Sequence, residues 1–230
     1  MIGRVYRKIK RMLAARLPRF DATGERVDIL YRGKIDFDTL DMFQKSHYKR
    51  YEYAVEIINE NDTCGDFACG TGYGSVMLSE KARKVTGADI NAGVIKAIQK
   101  RYRSNKKVQF INADLLSISF NSEFDYIISF ETIEHFTEEN ISRLLPAFSR
   151  ALKPGGKIIL STPYMQEKSE AALKLGHHLT FYIDEKVITN WLSAAGFDVL
   201  SFKYQNYATH DIVDALEEKD FLICVAQKRP

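Results

Sequence analysis

The alternation of short apolar segments with helical segments from residue 63 onward is the feature of this sequence that most constrains its fold. Such alternation is typical of an α/β domain built on a mostly parallel sheet. Strands are predicted at Thr63–Cys69, Lys84–Ile90, Val108–Asp114, Phe124–Glu131, Lys157–Thr162, Phe197–Tyr204 and Phe221–Ala226. Helices are predicted between them at about 74–83, 92–104, 138–152 and 184–196. A polar connection without a clear crossover helix joins the last two strands, so we expect them to pair antiparallel.

Charge and pattern divide the chain into three parts. Residues 1–20 contain seven Lys or Arg and no acid, whereas the other 26 basic and 30 acidic residues give the rest of the chain a net charge of −4. Apolar residues recur at helical spacing within residues 1–17, which predicts a basic amphipathic helix. This helix could pack on the domain, dock on an anionic membrane or contact nucleic acid. Residues 21–62 are predicted to form a helical cap, and residues 63–230 the main domain.

The sequence predicts neither secretion nor a membrane span. Arginines interrupt every apolar run in residues 1–17. A signal peptide needs an uninterrupted apolar region, so these residues do not resemble one. The longest stretch without Asp, Glu, Lys or Arg has thirteen residues, whereas a spanning helix needs about 20. Three cysteines, Cys64, Cys69 and Cys224, cannot all pair, which favours a reducing compartment. We therefore expect a cytoplasmic protein, held peripherally at the inner face of the membrane if the basic helix docks there.

A glycine-rich turn, Gly70-Thr71-Gly72-Tyr73-Gly74, follows the first predicted strand. At this point in an α/β sheet, backbone without Cβ atoms approaches a nucleotide-like ligand. Ser75 occupies the position of the third glycine of a dinucleotide-binding loop, which argues against pyrophosphate binding. Asp89 closes the second strand, where a carboxylate can accept both hydroxyls of a ribose, and Asp114 closes the third.

Five motifs in this order resemble those of the class I S-adenosylmethionine-dependent methyltransferases. They are Asp66-Phe67-Ala68-Cys69-Gly70-Thr71-Gly72, Asp89, Ala113-Asp114-Leu115, Phe124-Asp125-Tyr126-Ile127-Ile128-Ser129 and Leu152-Lys153-Pro154-Gly155-Gly156. The resemblance spans residues 47–228. It implies a Rossmann-like, seven-stranded, mostly parallel sheet of order 3-2-1-4-5-7-6 with the last strand antiparallel, and S-adenosylmethionine as the methyl donor.

The resemblance also implies which residues bind the donor. The glycine turn would hold its methionine part, Asp89 its ribose hydroxyls and Asp114 its adenine amine, while Asp66 would steady the turn and the ammonium group. Upstream, His47-Tyr48-Lys49-Arg50-Tyr51 resembles the H-x-x-R-Y element of methyltransferases acting on cell-surface sugars, where Arg and Tyr close over the donor. The implied donor-binding residues are Arg50, Tyr51, Asp66, Ala68, Gly70, Gly72, Asp89, Ile90, Asp114, Leu115 and Ser129.

Two carboxylates and an imidazole, Glu131, Glu134 and His135, lie within five residues at the end of the fourth predicted strand. An alcohol is a poor nucleophile, so methyl transfer to a hydroxyl needs a base or a Lewis-acid metal. Glu-x-x-Glu-His resembles the divalent-metal motif of ubiquinone-pathway O-methyltransferases and of enzymes that methylate the terminal ribose 2′-hydroxyl of small RNAs. His178 occupies a place comparable to a later histidine of the RNA group.

This second resemblance implies that Glu131, Glu134, His135 and His178 bind Mg²⁺, Mn²⁺ or Zn²⁺, with His135, His178 and Glu134 as the catalytic residues. Two other interpretations remain open. His135 could act as a base without a metal while Glu134 caps the next helix, or the Glu-His pair could be purely structural.

We expect an O-methyltransferase acting on a hydroxyl of a sugar, a nucleotide sugar or a lipid-linked glycan. An RNA ribose methyltransferase is the first alternative, and the net acidic body disfavours it. The second alternative is an enzyme acting on quinones or phenols, a class that has the same Glu-x-x-Glu-His motif. The third is a regulator that binds the donor without catalysis, and such a protein would not need this motif. Residues 21–62 and 163–183 are expected to determine the acceptor, because a shared fold does not.

Overall fold

A seven-stranded sheet forms the centre of the computed structural model, which describes residues 26–169 and 178–230. The strands lie in the order β3-β2-β1-β4-β5-β7-β6. Strands β1 to β5 pair in parallel, and β7 runs antiparallel to both β5 and β6. The predicted sheet order and the antiparallel last strand are confirmed. The strands are β1 Thr63–Phe67, β2 Lys84–Asp89, β3 Val108–Asn112, β4 Phe124–Phe130, β5 Leu152–Pro163, β6 Phe197–Gln205 and β7 Phe221–Lys228.

Five α-helices are present in the described residues, and polar residues begin most of them. Asp41 caps the first through a reciprocal capping box with Gln44. Asn91, Thr137 and Asp184 cap the third, fourth and fifth by accepting a backbone N–H. The helices are α1 Met42–Ile57, α2 Tyr73–Lys81, α3 Ala92–Arg101, α4 Glu138–Ala151 and α5 Glu185–Ala194.

An apolar core covers each face of the sheet. The first, shared with α1, α2 and α3, contains the buried side chains of Ala54, Leu78 and Ile98. The second, shared with α4 and α5, contains Ile141 and Ile188. Because both faces are covered, the central strands β1, β2 and β4 are buried along almost their whole length.

The prediction of helices throughout residues 21–62 is correct for α1 and wrong for residues 26–36. These residues form an irregular segment, followed by a short 3-10 helix at Phe37–Thr39. Its buried residues alternate along the segment, as suits extended backbone lying on other elements. The hydroxyl of Tyr31, for example, donates to Glu80 of α2 at 2.6 Å.

Strand β5 begins at Leu152 instead of the predicted Lys157, because Leu152 already pairs with Phe124 before the register shifts. The predicted basic helix over residues 1–20, and its contact with a membrane through residues 1–17, lie outside the described residues. Within the described ranges, no helix has the length and apolar character needed to cross a bilayer.

Candidate active site

A cavity of about 310 Å³ opens beside the carboxyl ends of β1, β2, β3 and β4. Four of the predicted donor-binding residues, Arg50, Asp66, Gly72 and Ser129, are not part of its wall. The predicted donor-binding residues that line it are Tyr51, Ala68, Gly70, Asp89, Ile90, Asp114 and Leu115. The carboxyl ends of neighbouring parallel strands meet at one edge of a sheet, which is why motifs far apart in sequence converge here.

The turn after β1 has a backbone that only glycine adopts readily. Gly70 and Gly72 have φ values of +50° and +76°, in the left-handed region. A Cβ on Gly72 would lie 2.8 Å from the Phe110 ring, whereas one on Gly70 would meet nothing within 4 Å. Ala68 and Glu131 also have positive φ, at +63° and +48°. Such strain at the ends of β1 and β4 is typical of a functional site.

The carboxylate of Asp89 is fixed at the pocket wall by three donors. Its Oδ2 accepts from the Gly70 N–H at 3.1 Å. Its Oδ1 accepts from the Asn91 N–H at 2.8 Å and from Arg26 at 3.3 Å. A carboxylate has about four acceptor positions, so Asp89 retains capacity for a hydroxyl.

Asp66 lies behind the pocket wall, fully buried, and supports the glycine turn. It accepts hydrogen bonds from the Tyr51 hydroxyl at 2.9 Å and the Ser75 hydroxyl at 2.6 Å. Burial raises the pKa of Asp66 to about 6, and these hydrogen bonds oppose the rise. Because Asp66 is not part of the cavity wall, we assign it to holding α1 and α2 together.

The raised pKa of Asp66 predicts a pH-dependent stability. Below the ordinary pKa of 3.8 the side chain is neutral in both folded and unfolded chains, and above about 6 it is ionised in both. In between, the folded chain holds the proton more tightly, so stability is lost as pH rises through this window, by about 3 kcal/mol in total. Urea unfolding across the window is expected to show this loss in the wild type relative to Asp66→Asn. Parallel pH profiles of the two proteins would contradict the assignment.

Arg50 of α1 is fully buried and only partly satisfied. Its Nη1 donates to Glu131 at 3.3 Å, and its guanidinium stacks on the Phe221 ring at 4.3 Å. Its Nε and Nη2 have no hydrogen-bond partner among the described residues. An incompletely paired buried guanidinium is costly, so this position is suited to an anionic group of a ligand.

Glu134, His135 and His178 form a cluster on the acceptor side of the cavity. One ligand atom from each lies within 4.8 Å of the others, and His135 lines the cavity. Neither carboxyl oxygen of Glu134 has a hydrogen-bond partner in the part of the chain that the structure describes. Burial, followed by the nearby charge of Glu131, raises the pKa of Glu134 well above its ordinary value.

Glu131, the fourth predicted metal ligand, is not part of this cluster. Its Oε1 accepts from the Ser161 hydroxyl at 2.8 Å as well as from Arg50. These two donors hold the carboxylate toward β5 and α1. Sequence spacing could not reveal this, because both partners come from elements distant in the chain.

His178 reaches the cluster because its own segment docks on Glu134. The backbone oxygen of Glu134 accepts from the N–H groups of Leu179 and Thr180 at 2.8 and 3.1 Å. The Nδ1 of His178 hydrogen-bonds Gln166 on the other side of the segment. Residues on both sides of the undescribed stretch 170–177 therefore contribute to one site.

Several residues of the cavity wall were not predicted as site residues, among them Arg26, Val27 and His47. His47 stands three positions before Arg50 on α1, one helical turn away, and that spacing could have identified it. Arg26 and Val27 belong to the irregular segment, where no periodicity marks them.

Residues 65–156 match the family model described as a methyltransferase domain. This part of the chain is therefore similar to a methyltransferase domain. A demethylmenaquinone methyltransferase of Clavibacter sepedonicus is 27% identical over an alignment covering 57% of this chain and 64% of that protein. A ubiquinone biosynthesis O-methyltransferase of Pseudomonas fluorescens is 25% identical over 63% of this chain and 69% of its own length.

The methyltransferase fold is also evident among solved structures. The N-methyltransferase NodS from Bradyrhizobium japonicum, solved with S-adenosyl-L-homocysteine, superposes with a TM-score of 0.64. It is 16% identical, with 84% of this chain and 91% of that chain covered, a likeness that shows the fold. The chain spans only 50 to 64% of the length of the first curated relatives that it matches.

Proposed function

We propose that this chain transfers a methyl group from S-adenosylmethionine to a hydroxyl group. The observation that carries the proposal is the cluster of Glu134, His135 and His178 beside the donor cavity. An amine acceptor needs little help, whereas an alcohol must lose its proton to a base or a metal. Two imidazoles beside a carboxyl group can provide the base or can bind the metal.

The residues of the cavity suit the donor. When bound, S-adenosylmethionine supplies an activated methyl group on a sulfonium that is a good leaving group. Gly70 leaves open space for the donor to approach the backbone, and Asp89 has acceptor capacity for the ribose. Asp114 in the cavity wall would meet the adenine amine. Arg50, whose Nε and Nη2 are unpaired among the described residues, would have to become exposed to the cavity to meet the methionine carboxylate.

The acceptor cluster also suits a divalent metal. Glu134, His135 and His178 would hold it, and two imidazoles with one carboxylate suit Zn²⁺ or Mn²⁺ better than Mg²⁺. When bound, the metal would lower the pKa of the acceptor hydroxyl and fix its position. A cation would also offset the burial and the Glu131 charge that raise the pKa of Glu134. In the absence of metal, His135 is positioned to act as the base.

For the acceptor, we propose a hydroxyl of a sugar, nucleotide sugar or lipid-linked glycan. The H-x-x-R-Y element supports this choice, since His47 and Tyr51 line the cavity and Arg50 lies directly behind it. Attachment of the chain to an anionic membrane through residues 1–17 belongs to the same proposal. A docked enzyme would meet lipid-linked acceptors at the membrane face.

A phenol or quinone precursor is the second candidate acceptor. Curated relatives named for menaquinone and ubiquinone biosynthesis favour it. The aromatic rings of Phe130 and Phe136 in the cavity wall would pack equally well against a phenol ring or the face of a sugar.

Short RNA is the third acceptor to test, and the charge distribution disfavours it. Residues 81–107 contain nine Lys or Arg and one acid. Most of these basic residues lie at the ends of α2 and α3 or in the loops leading into β2 and β3. That is the amino-terminal edge of the sheet, opposite the cavity, so RNA bound there would lie away from the acceptor cluster.

The decisive experiment is transfer of a labelled methyl group to four acceptor panels: nucleotide sugars, lipid-linked glycans, phenols and short RNA. Transfer to the first or second panel is expected. A chelator is expected to lower activity at least tenfold, with recovery on adding Zn²⁺ or Mn²⁺, because the cluster loses its Lewis acid. Methylation of the phenols alone would favour the second candidate acceptor over the first. Transfer to none of these hydroxyl-bearing acceptors would reject the proposed O-methyltransferase, and full activity after exhaustive chelation would leave His135 as an unassisted base.

A further inference from the structure

The irregular segment at the start of the described chain runs along the donor cavity, and we call its residues 26–31 the strap. Arg26 and Val27 line the cavity. Ile29 and Tyr31 are 1% and 4% exposed and belong to the apolar core shared with α1, α2 and α3. The strap is therefore packed on the domain independently of any ligand.

Polar contacts fix the strap on both sides of the cavity. The Thr71 hydroxyl, in the glycine turn, donates to the backbone oxygen of Val27 at 3.0 Å. Arg101 of α3 donates two hydrogen bonds to the Asp28 carboxylate, at 2.6 and 3.0 Å. Gln44 of α1 donates to the backbone oxygen of Asp28 at 2.8 Å. A two-pronged Arg–carboxylate pair restricts orientation as well as distance, so the position of Arg26 is well determined.

The side chain of Arg26 reaches the carboxylate of Asp89, the last residue of β2, at the cavity wall. Its Nη2 lies 3.3 Å from the Oδ1 of Asp89, and the two side chains are 20% and 6% exposed. At such low exposure an ion pair is screened little by solvent. The guanidinium therefore holds the Asp89 carboxylate in one orientation, together with the N–H groups of Gly70 and Asn91.

We propose that Arg26 is a positioning residue for donor binding, carried by the strap to the cavity edge, where it orients Asp89 toward the ribose hydroxyls of S-adenosylmethionine. This inference rests on the proposed function, since it takes that molecule as the donor. The strap also walls the adenosine half of the cavity against the glycine turn. Donor affinity thus depends on residues that precede the methyltransferase domain matched at residues 65–156.

Calorimetry with S-adenosylhomocysteine, the product form of the donor, tests the inference without turnover. Arg26→Ala is expected to weaken binding about tenfold, the effect of losing one charge-assisted hydrogen bond at a partly buried site. Arg26→Lys is expected to recover part of the loss. Arg32→Ala is the matched control, because it removes an exposed arginine just after the strap. Its affinity for S-adenosylhomocysteine is expected to equal that of the wild type.

A ribose-specific measurement separates positioning from a general loss of structure. The wild type is expected to prefer S-adenosylhomocysteine over its 2′-deoxy analogue, and both Arg26→Ala and Asp89→Ala are expected to reduce that preference. In the double variant, Arg26→Ala is expected to add little to Asp89→Ala, because the two residues act through one carboxylate. Full additivity, or equal weakening for both ligands, would overturn the proposal.

Asp28→Asn provides a second variant that does not touch the cavity. It weakens the pair with Arg101 and is expected to lower donor affinity severalfold by loosening the strap. Thermal unfolding without ligand checks that each variant folds. Affinity at or above wild type in Arg26→Ala would show that the guanidinium does not assist the donor, and would reject the inference alone. A wild-type protein that fails to bind S-adenosylhomocysteine would reject the proposed function itself.

Discussion

Replacing His135 with alanine is expected to lower kcat by about 10²–10⁴-fold, the usual contribution of a positioned acid or base. His135 is the member of the acceptor cluster that lines the cavity, and its ring lies 4.9 Å from that of His178. In the proposed reaction it would act as the base or as a metal ligand, and either role would act on the acceptor hydroxyl. Steady-state kinetics with the acceptor identified in the screen would measure the loss.

The dissociation constant of S-adenosylhomocysteine serves as the internal control for His135→Ala, and it is expected to stay close to the wild-type value. His178→Ala then distinguishes the two roles. If a metal is bound, both variants lose it, and both lose activity to a similar degree. If His135 acts alone, His178→Ala retains most of the activity. A kcat for His135→Ala within a few-fold of the wild type would remove His135 from the chemistry altogether.

Gly74→Ala is expected to destabilise the fold by about 3–5 kcal/mol, because overpacking combines with loss of a buried hydrogen bond. An added Cβ would lie 2.0 Å from the Tyr51 ring. The ring cannot withdraw, since it packs edge-on against Tyr73 and Phe130 and its hydroxyl donates to Asp66. Urea unfolding of the variant and the wild type would measure the difference.

Gly93→Ala is the matched control for Gly74→Ala. Gly93 is exposed near the start of α3, and an added Cβ would lie 3.3 Å from the Asn91 side chain, so the change is expected to be within about 1 kcal/mol. Adding Tyr51→Leu to Gly74→Ala is expected to restore part of the stability by removing the clash. A Gly74→Ala protein as stable as the wild type would show that α1 can shift away from α2.

The order of the sheet was implied by the resemblance to class I methyltransferases, whose motifs lie at the ends of the strands. Asp89 and Asp114 follow consecutive strands, so their positions on one edge were set by topology alone. The carboxyl ends of the strands differ from the prediction by one or two residues, whereas β5 begins five residues before the predicted start. Strand β1 ends just before Ala68, which has a positive φ at the cavity wall. Residue propensities do not predict a positive φ for alanine.

The parts that could not be predicted depend on contacts between residues far apart in the chain. Arg26 is 63 positions from Asp89, and nothing near it in sequence indicates that it reaches the cavity. Glu131 follows the metal-binding spacing but pairs with Arg50, 81 positions away. Local patterns specify the type of each element, whereas pairing of single charged groups is decided by tertiary packing.

The backbone oxygen of Glu134 is a point at which the connection between β5 and α5 could be exchanged for another segment. It anchors residues 179–180 through main-chain hydrogen bonds alone, which any sequence without proline at those positions can make. Neither of these two hydrogen bonds involves β1 to β3, α1 or the strap. In the proposed methyltransferase, the connection between β5 and α5 could therefore be exchanged around His178 to change the acceptor, while the proposed donor-binding residues stay the same.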